Sequence, residues 1–226
     1  GLVGSEMCIR DRNMDMEEKL AFLDEHYLSH FDYLDVDSVI QEQKAFGACQ
    51  DVTLEYPVAE NEGEEDNTYL SYNMVVGNAA DSQMAMAFEV LDYALLSAPG
   101  APLKQALLDV KAGKDVYGSY DDGILQPYFT VIAKGSNPDR KEEFVSVIRQ
   151  VLGDIVKNGI DRKAVEAGIN YFEFRYREAD FSSYPKGLMY SLDILGDWLY
   201  EKGNPFAQVQ PVSYTHLRAH ETLRHL

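Results

Sequence analysis

A chain of 226 residues with 20 Lys and Arg against 38 Asp and Glu carries a formal net charge of −18. That acidity argues against a phosphate-backbone partner, which needs clustered Lys and Arg, and no apolar run approaches the ~20 residues that span a bilayer. The length suits one large or two small domains and is enough to bury a core.

In chain order, the first feature concerns the ends. Residues 2–12 (LVGSEMCIRDR) can be back-translated into DNA whose reverse complement encodes PVSYTHLRAHE, which is residues 211–221. Selection on protein does not produce inverted complementary ends, whereas a sequencing adapter on both ends of a DNA fragment does. Residues 1–12 and 211–226 therefore read as an adapter artefact and are set aside; residues 13–210 are expected to be an internal piece of a longer protein. Setting aside Arg10, Arg12, Arg218 and Arg224 with Glu6, Asp11 and Glu221 leaves 16 basic and 35 acidic residues, net −19. Cys49 is then a lone cysteine, which points to a reducing compartment, cytoplasm or an organellar matrix. The acidic surplus speaks to solubility first, and it would also attract basic peptides.

Residues 14–32 predict a helix, with Leu20, Leu23, Tyr27, Leu28 and Phe31 on one face. A polar connector follows to about residue 50. Residues 52–56 alternate like a strand and stop at Pro57, and residues 60–66 (ENEGEED) form a charge-dense, solvated loop. Residues 69–76 are rich in β-branched and aromatic side chains and predict a strand. Asp81 is placed to cap a helix whose Met84, Phe88, Leu91 and Leu95 share a face. Residues 97–102 (SAPGAP) break it, and Pro102 suits the first position of a short helix to about Val110.

Residues 116–120 and 128–133 flank Asp122-Gly123, a turn signal, and predict an antiparallel hairpin. Asn137 and Pro138 then open a long helix with Val145, Ile148, Val151, Leu152 and Ile155 inward, ended by Asn158-Gly159. Asp161 starts a further helix to about Glu178, bearing Val165, Ile169, Phe172 and Tyr176. A last helix, about residues 185–200, carries Leu188, Leu192, Leu195 and Leu199. Strands grouped in pairs between helices argue for an α+β fold: a mostly antiparallel sheet with helices packed on one face.

Candidate chemistry is sparse. His26 and His30 stand at i, i+4, the spacing of the inverted zinc motif H-x-x-E-H, but Ser29 occupies the place of its glutamate base. A catalytic zinc needs three protein ligands, so the pair reads as part of a surface helix. Asp121-Asp122 reads as turn chemistry. Glu173 and Arg177 are spaced for a helical ion pair worth a few tenths of a kcal/mol. Cys49 has no histidine near in sequence and is not read as a nucleophile. No phosphate loop or nucleophile elbow is present.

Several segments taken together carry a resemblance. Tyr184-Pro185-Lys186-Gly187-Leu188, then Trp198-Leu199-Tyr200, then Asn204-Pro205-Phe206 is the most specific set. Residues 159–178 (GIDRKAVEAGINYFEFRYRE), 96–109 (LSAPGAPLKQALLD) and 123–129 (GILQPYF) precede it in order. The ordered set resembles the presequence protease and falcilysin branch of the insulinase-type (pitrilysin) zinc metallopeptidases. That resemblance implies four related α/β domains in two halves that close around a peptide chamber. It assigns residues 13–49 to the end of the first, catalytic domain plus a linker, and residues 50–210 to the second, non-catalytic domain. The family's H-x-x-E-H motif would lie upstream of residue 13, and its substrate-gripping Arg and Tyr downstream of residue 210. Zinc would belong to the parent protein, and no catalytic, cofactor-binding or metal residue is assigned in this chain. The implied function is a zinc endopeptidase degrading unfolded peptides, with this piece as scaffold and chamber wall. The partners are peptide substrates and the remaining domains of the same chain, with no nucleic acid and no membrane. The alternative is a domain of a non-catalytic, processing-peptidase-like subunit serving binding or assembly.

Overall fold

A computed structural model describes residues 15–59, 63–79, 81–178 and 183–200, except for the side chains of Ser82, Tyr176, Arg177, Glu178 and Asp197. The two adapter-like ends, residues 60–62 of the acidic loop, Asn204-Pro205-Phe206 and the Glu173–Arg177 pairing lie outside what is described. Three antiparallel strands, β1 (Thr68–Val75), β2 (Asp115–Asp121) and β3 (Tyr128–Ser136), form a sheet in the order β1-β3-β2. The fold is α+β.

Period-2 alternation decides which face of the sheet is covered. Leu70, Tyr72 and Met74 on β1 stand opposite Ala133, Val131 and Phe129 on β3, which in turn stand opposite Val116, Gly118 and Tyr120 on β2. These residues meet the helices: α2 (Ser82–Asp92, running on through a π turn, Tyr93–Ser97), α3 (Pro102–Asp109) and α4 (Lys141–Asn158). Val116, Val131, Leu103, Leu107, Phe144 and Ile148 are fully buried there. Helix α5 (Arg162–Glu178) lies over α2 as an outer layer, with Val165, Ile169 and Phe172 against Val90.

Two glycines let α2 fit between its neighbours. A Cβ at Gly118 would run into Asp92 Oδ1 and Leu96 Cδ1, and one at Gly168 would lie 3.2 Å from both Val90 and Tyr93. Glycine here serves close approach rather than a turn.

Local signals set most of the element ends. The Asp81 carboxylate accepts from Gln83 N and Met84 N, satisfying two orphan donors of α2. Pro102 takes the first turn of α3. Gly159, at φ 87°, ends α4 in a backbone region that glycine enters freely. Asn137 departs from expectation. Its side chain does not cap a helix; it accepts from Asp66 N at 2.8 Å and donates to Asp66 Oδ1 at 2.8 Å, and a 3-10 turn, Pro138–Arg140, leads into α4 instead. The side chain that could bond locally finds a partner 71 residues away and closes the turn before β1.

Three apolar patterns are not buried. Helix α1 (Met16–His26) and the 3-10 turn Leu28–His30 form where a helix is expected, yet Leu20, Leu23, Tyr27, Leu28 and Phe31 are exposed. Residues 52–56 form no strand and pair with none among the described residues, with Leu54 84% exposed. Alternation marks a chain with two faces; it does not supply an edge to pair with. Helix α6 (Lys186–Leu199) forms after Pro185, but Leu192, Leu195, Trp198 and Leu199 remain exposed.

Candidate functional site

The histidine pair is split by the structure. His26 closes α1 and meets Phe22 edge-on, ring centroids 4.3 Å apart, while His30 closes the following 3-10 turn. Ser29 Oγ donates to the Glu25 carbonyl at 3.2 Å, a local backbone bond rather than a catalytic one. Among the described residues no group of three or more His, Cys, Asp and Glu side chains can hold a metal ion. Among the described residues the pair thus has no third ligand beside it. Cys49 is an exposed free thiol. Asp121 does turn work: Oδ1 accepts from Gly123 N at 3.0 Å and Oδ2 accepts from the Tyr128 hydroxyl at 3.1 Å. That carboxylate also raises the Tyr128 hydroxyl above its ordinary pKa.

One ionisable cluster is purely tertiary and has no motif. Glu89 on α2 faces Asp122 of the β2–β3 turn, Arg175 of α5, Asp193 of α6 and Asp92 on its own helix. Burial pushes the Glu89 carboxyl up to about 7; Asp122 adds to the shift, Arg175 opposes it, and Asp193 and Asp92 add further. Burial also raises Asp193, with Asp122 adding and Arg175 opposing. Asp92 is raised by burial as well, held back by a hydrogen bond from Ser97 Oγ at 3.1 Å, and its Oδ1 is buried with no hydrogen-bond partner among the described residues. Desolvation disfavours each carboxylate, and one guanidinium does not balance three or four of them. The available signal was positional: Glu89 lies one turn after buried Ala85, so helical spacing turns it inward.

The second candidate is a surface. Every helix that covers the sheet lies on one side. The other side presents Ser71, Ile132 and Tyr117 in one cross-strand row and Asn73, Thr130 and Ser119 in the next. Thr130 Oγ1 donates to Asn73 Oδ1 at 2.7 Å, Asn73 Nδ2 donates to Ser71 Oγ at 3.1 Å, and Lys134 stands 5.8 Å over the Tyr69 ring. Tyr69, Val75 and Tyr117 are exposed. This face carries hydroxyls, amides and aromatic rings, and among the described residues it holds no nucleophile–base pair.

The family model of the peptidase M16 inactive domain matches residues 13–172. The chain belongs to the peptidase M16 family. Protein HypA of Clostridium perfringens is 42% identical over 198 residues, covering 88% of this chain and 20% of that protein. Presequence protease 1, chloroplastic/mitochondrial, of Arabidopsis thaliana is 30% identical over 180 residues, covering 79% of this chain and 16% of that protein. The presequence protease resemblance read from the motifs is thus borne out. The M16 chain spans about a fifth of the length of these curated relatives. Among solved structures, the inactive peptidase domain of a zinc protease from Bordetella parapertussis aligns with a TM-score of 0.54 at 15% identity, covering 69% of this chain and 82% of that one. That likeness carries the fold: an M16 inactive domain, with a three-stranded antiparallel sheet and its helices.

Proposed function

We propose that this M16 domain is the non-catalytic second domain of a zinc endopeptidase that degrades unfolded peptides in a closed chamber, and that its open sheet face is chamber wall. The observation that carries the reading is the one-sided sheet. Helices α2, α3 and α4 cover one face while the other offers Tyr69, Asn73, Tyr117 and Ser119 to whatever lies opposite. The side-chain hydroxyls and amides of such a face can hydrogen-bond the backbone of an extended peptide, and its rings can pack on it, without selecting its sequence. Residues 13–49 would complete the first domain and a linker, residues 50–210 would be the second domain, and the exposed stripes of α1 and α6 would meet other domains of the parent. The net −19 of residues 13–210 would favour basic peptides.

Zinc and its ligands would sit in the parent outside this chain; the residues here scaffold and orient. The 226-residue chain supplied with zinc should hydrolyse no unstructured peptide, and chelator-sensitive turnover by it would defeat the scaffold role. Sequencing the parent gene upstream should reveal H-x-x-E-H in the first domain; a complete first domain without it would refute the peptidase reading. Capture of basic peptides should weaken as salt rises, so salt-independent capture would remove the electrostatic part alone.

A further inference from the structure

Residues 31–58 join α1 to the sheet domain as a strap in which every residue is exposed. With nothing buried, the strap is held by tacks. Its first tack has an unusual form. Gln126 Oε1 accepts from Gln43 N at 2.7 Å while Gln126 Nε2 donates to the Gln43 carbonyl at 3.1 Å. One side-chain amide thus satisfies both backbone groups of a single residue, as a neighbouring strand would, and does so whatever side chain residue 43 carries. Beside it, Asn78 Nδ2 donates to Glu42 Oε1 at 2.7 Å. The base of this pair is stiff, because Val76 N bonds to the Pro127 carbonyl and Ala79 N to the Leu125 carbonyl, prolonging the β1–β3 ladder beyond Val75. The next tack, between Lys141 and Asp51, comes eight residues later.

We propose that Gln126 and Asn78 form a backbone clamp that sets where the strap leaves the sheet domain and so how far everything N-terminal to it can swing. Helix α1 buries no side chain among the described residues, so the clamp is the nearest fixed point between it and the sheet. Opening the clamp moves that point from residue 43 to residue 51, and eight more residues of free chain add roughly 26–29 Å of reach. The clamp is a pivot of adjustable length, independent of the peptidase reading.

Hydrogen exchange on the full chain tests it. In Gln126→Ala, the Gln43 amide should exchange about tenfold faster, the size that the lost neutral hydrogen bonds support, with residues 128–136 unchanged. Gln126→Glu keeps an acceptor for Gln43 N and loses the donor to its carbonyl, so its effect should fall between. Lys141→Met, which breaks the tack at Asp51, should leave the Gln43 amide unchanged. With Asn78→Ala added to Gln126→Ala, so that the Glu42 bond is lost as well, X-ray scattering should give a larger maximum dimension than for the parent chain. Unchanged exchange at the Gln43 amide in Gln126→Ala would overturn the clamp, as would a rise in Gln126→Glu that extends equally through β3. Faster local exchange with no change in maximum dimension would overturn the pivot.

Discussion

The sheet with α2 to α5 and the periphery of α1, strap and α6 use the same vocabulary of apolar spacing to different ends. Leu103, Leu107, Phe144 and Ile148 are fully buried, whereas Leu20, Leu195 and Trp198 stand at 57%, 56% and 66% exposure. The lesson is that periodicity specifies which face of a helix is sticky and leaves open what covers it. In the central region the cover comes from strands and helices within about 100 residues of sequence. At the periphery nothing among the described residues supplies it.

Substitutions can break or sharpen this contrast. The largest effect is expected at Phe144, where truncation to Ala leaves a cavity under α3 and β1 and should cost about 3–5 kcal/mol in urea unfolding. Leu195→Ala and Leu20→Ala should each fall within about 0.5 kcal/mol in the same measurement; a core-sized loss at either would mean the stripe is covered after all.

The acidic junction gives the next effect, and its sign is fixed by linkage. The Glu89 carboxyl, ordinarily near 4.5, rests at about 7 in the folded chain. Below pH 4.5 both states hold its proton and the group contributes nothing. Between pH 4.5 and 7 only the unfolded chain ionises, so stability falls as pH rises, and the loss is complete above pH 7. A shift of that size corresponds to about 3 kcal/mol. Glu89→Gln should remove most of the difference between urea midpoints at pH 5 and pH 8, and a variant that keeps the full pH slope would assign it to Asp92 or Asp193 instead. Smaller still is Gly118→Ala, which forces a methyl against Leu96 and Asp92 where Leu96 is 1% exposed. Overpacking there should cost about 1–3 kcal/mol in thermal unfolding, while the same change at Gly196, with nothing within 4 Å, should be neutral or stabilising through helix propensity.

The parts legible in the sequence share one property: their cause is local. Asp81 reaches backbone two and three residues on, Pro102 fixes its own φ, Gly159 supplies its own left-handed conformation, and Asp122-Gly123 bends the chain between β2 and β3. The parts that were not legible depend on distant partners. Asn137 offered a cap and instead bonds to Asp66; residues 52–56 offered a strand and find no edge; Glu89 gained its neighbours from three other elements. The family was legible for another reason, since an ordered set of short motifs carries information that no single physical rule extracts. The open sheet face needed both kinds of knowledge: alternation along β1 to β3 showed two faces, and only the packing of the helices showed which one stays bare.

The strand order has a consequence in time. Strand β3 lies at the centre of the sheet yet is the last strand in sequence, and Thr68 at the start of β1 is aligned with Ser136 at the end of β3. During synthesis at about 5–20 residues per second, roughly sixty residues separate the completion of β1 from that of β3, an interval of about 3–12 s. Throughout it the apolar face of Leu70, Tyr72 and Met74 has no β3 to pair with, so the sheet can assemble only once the chain has been made to Ser136.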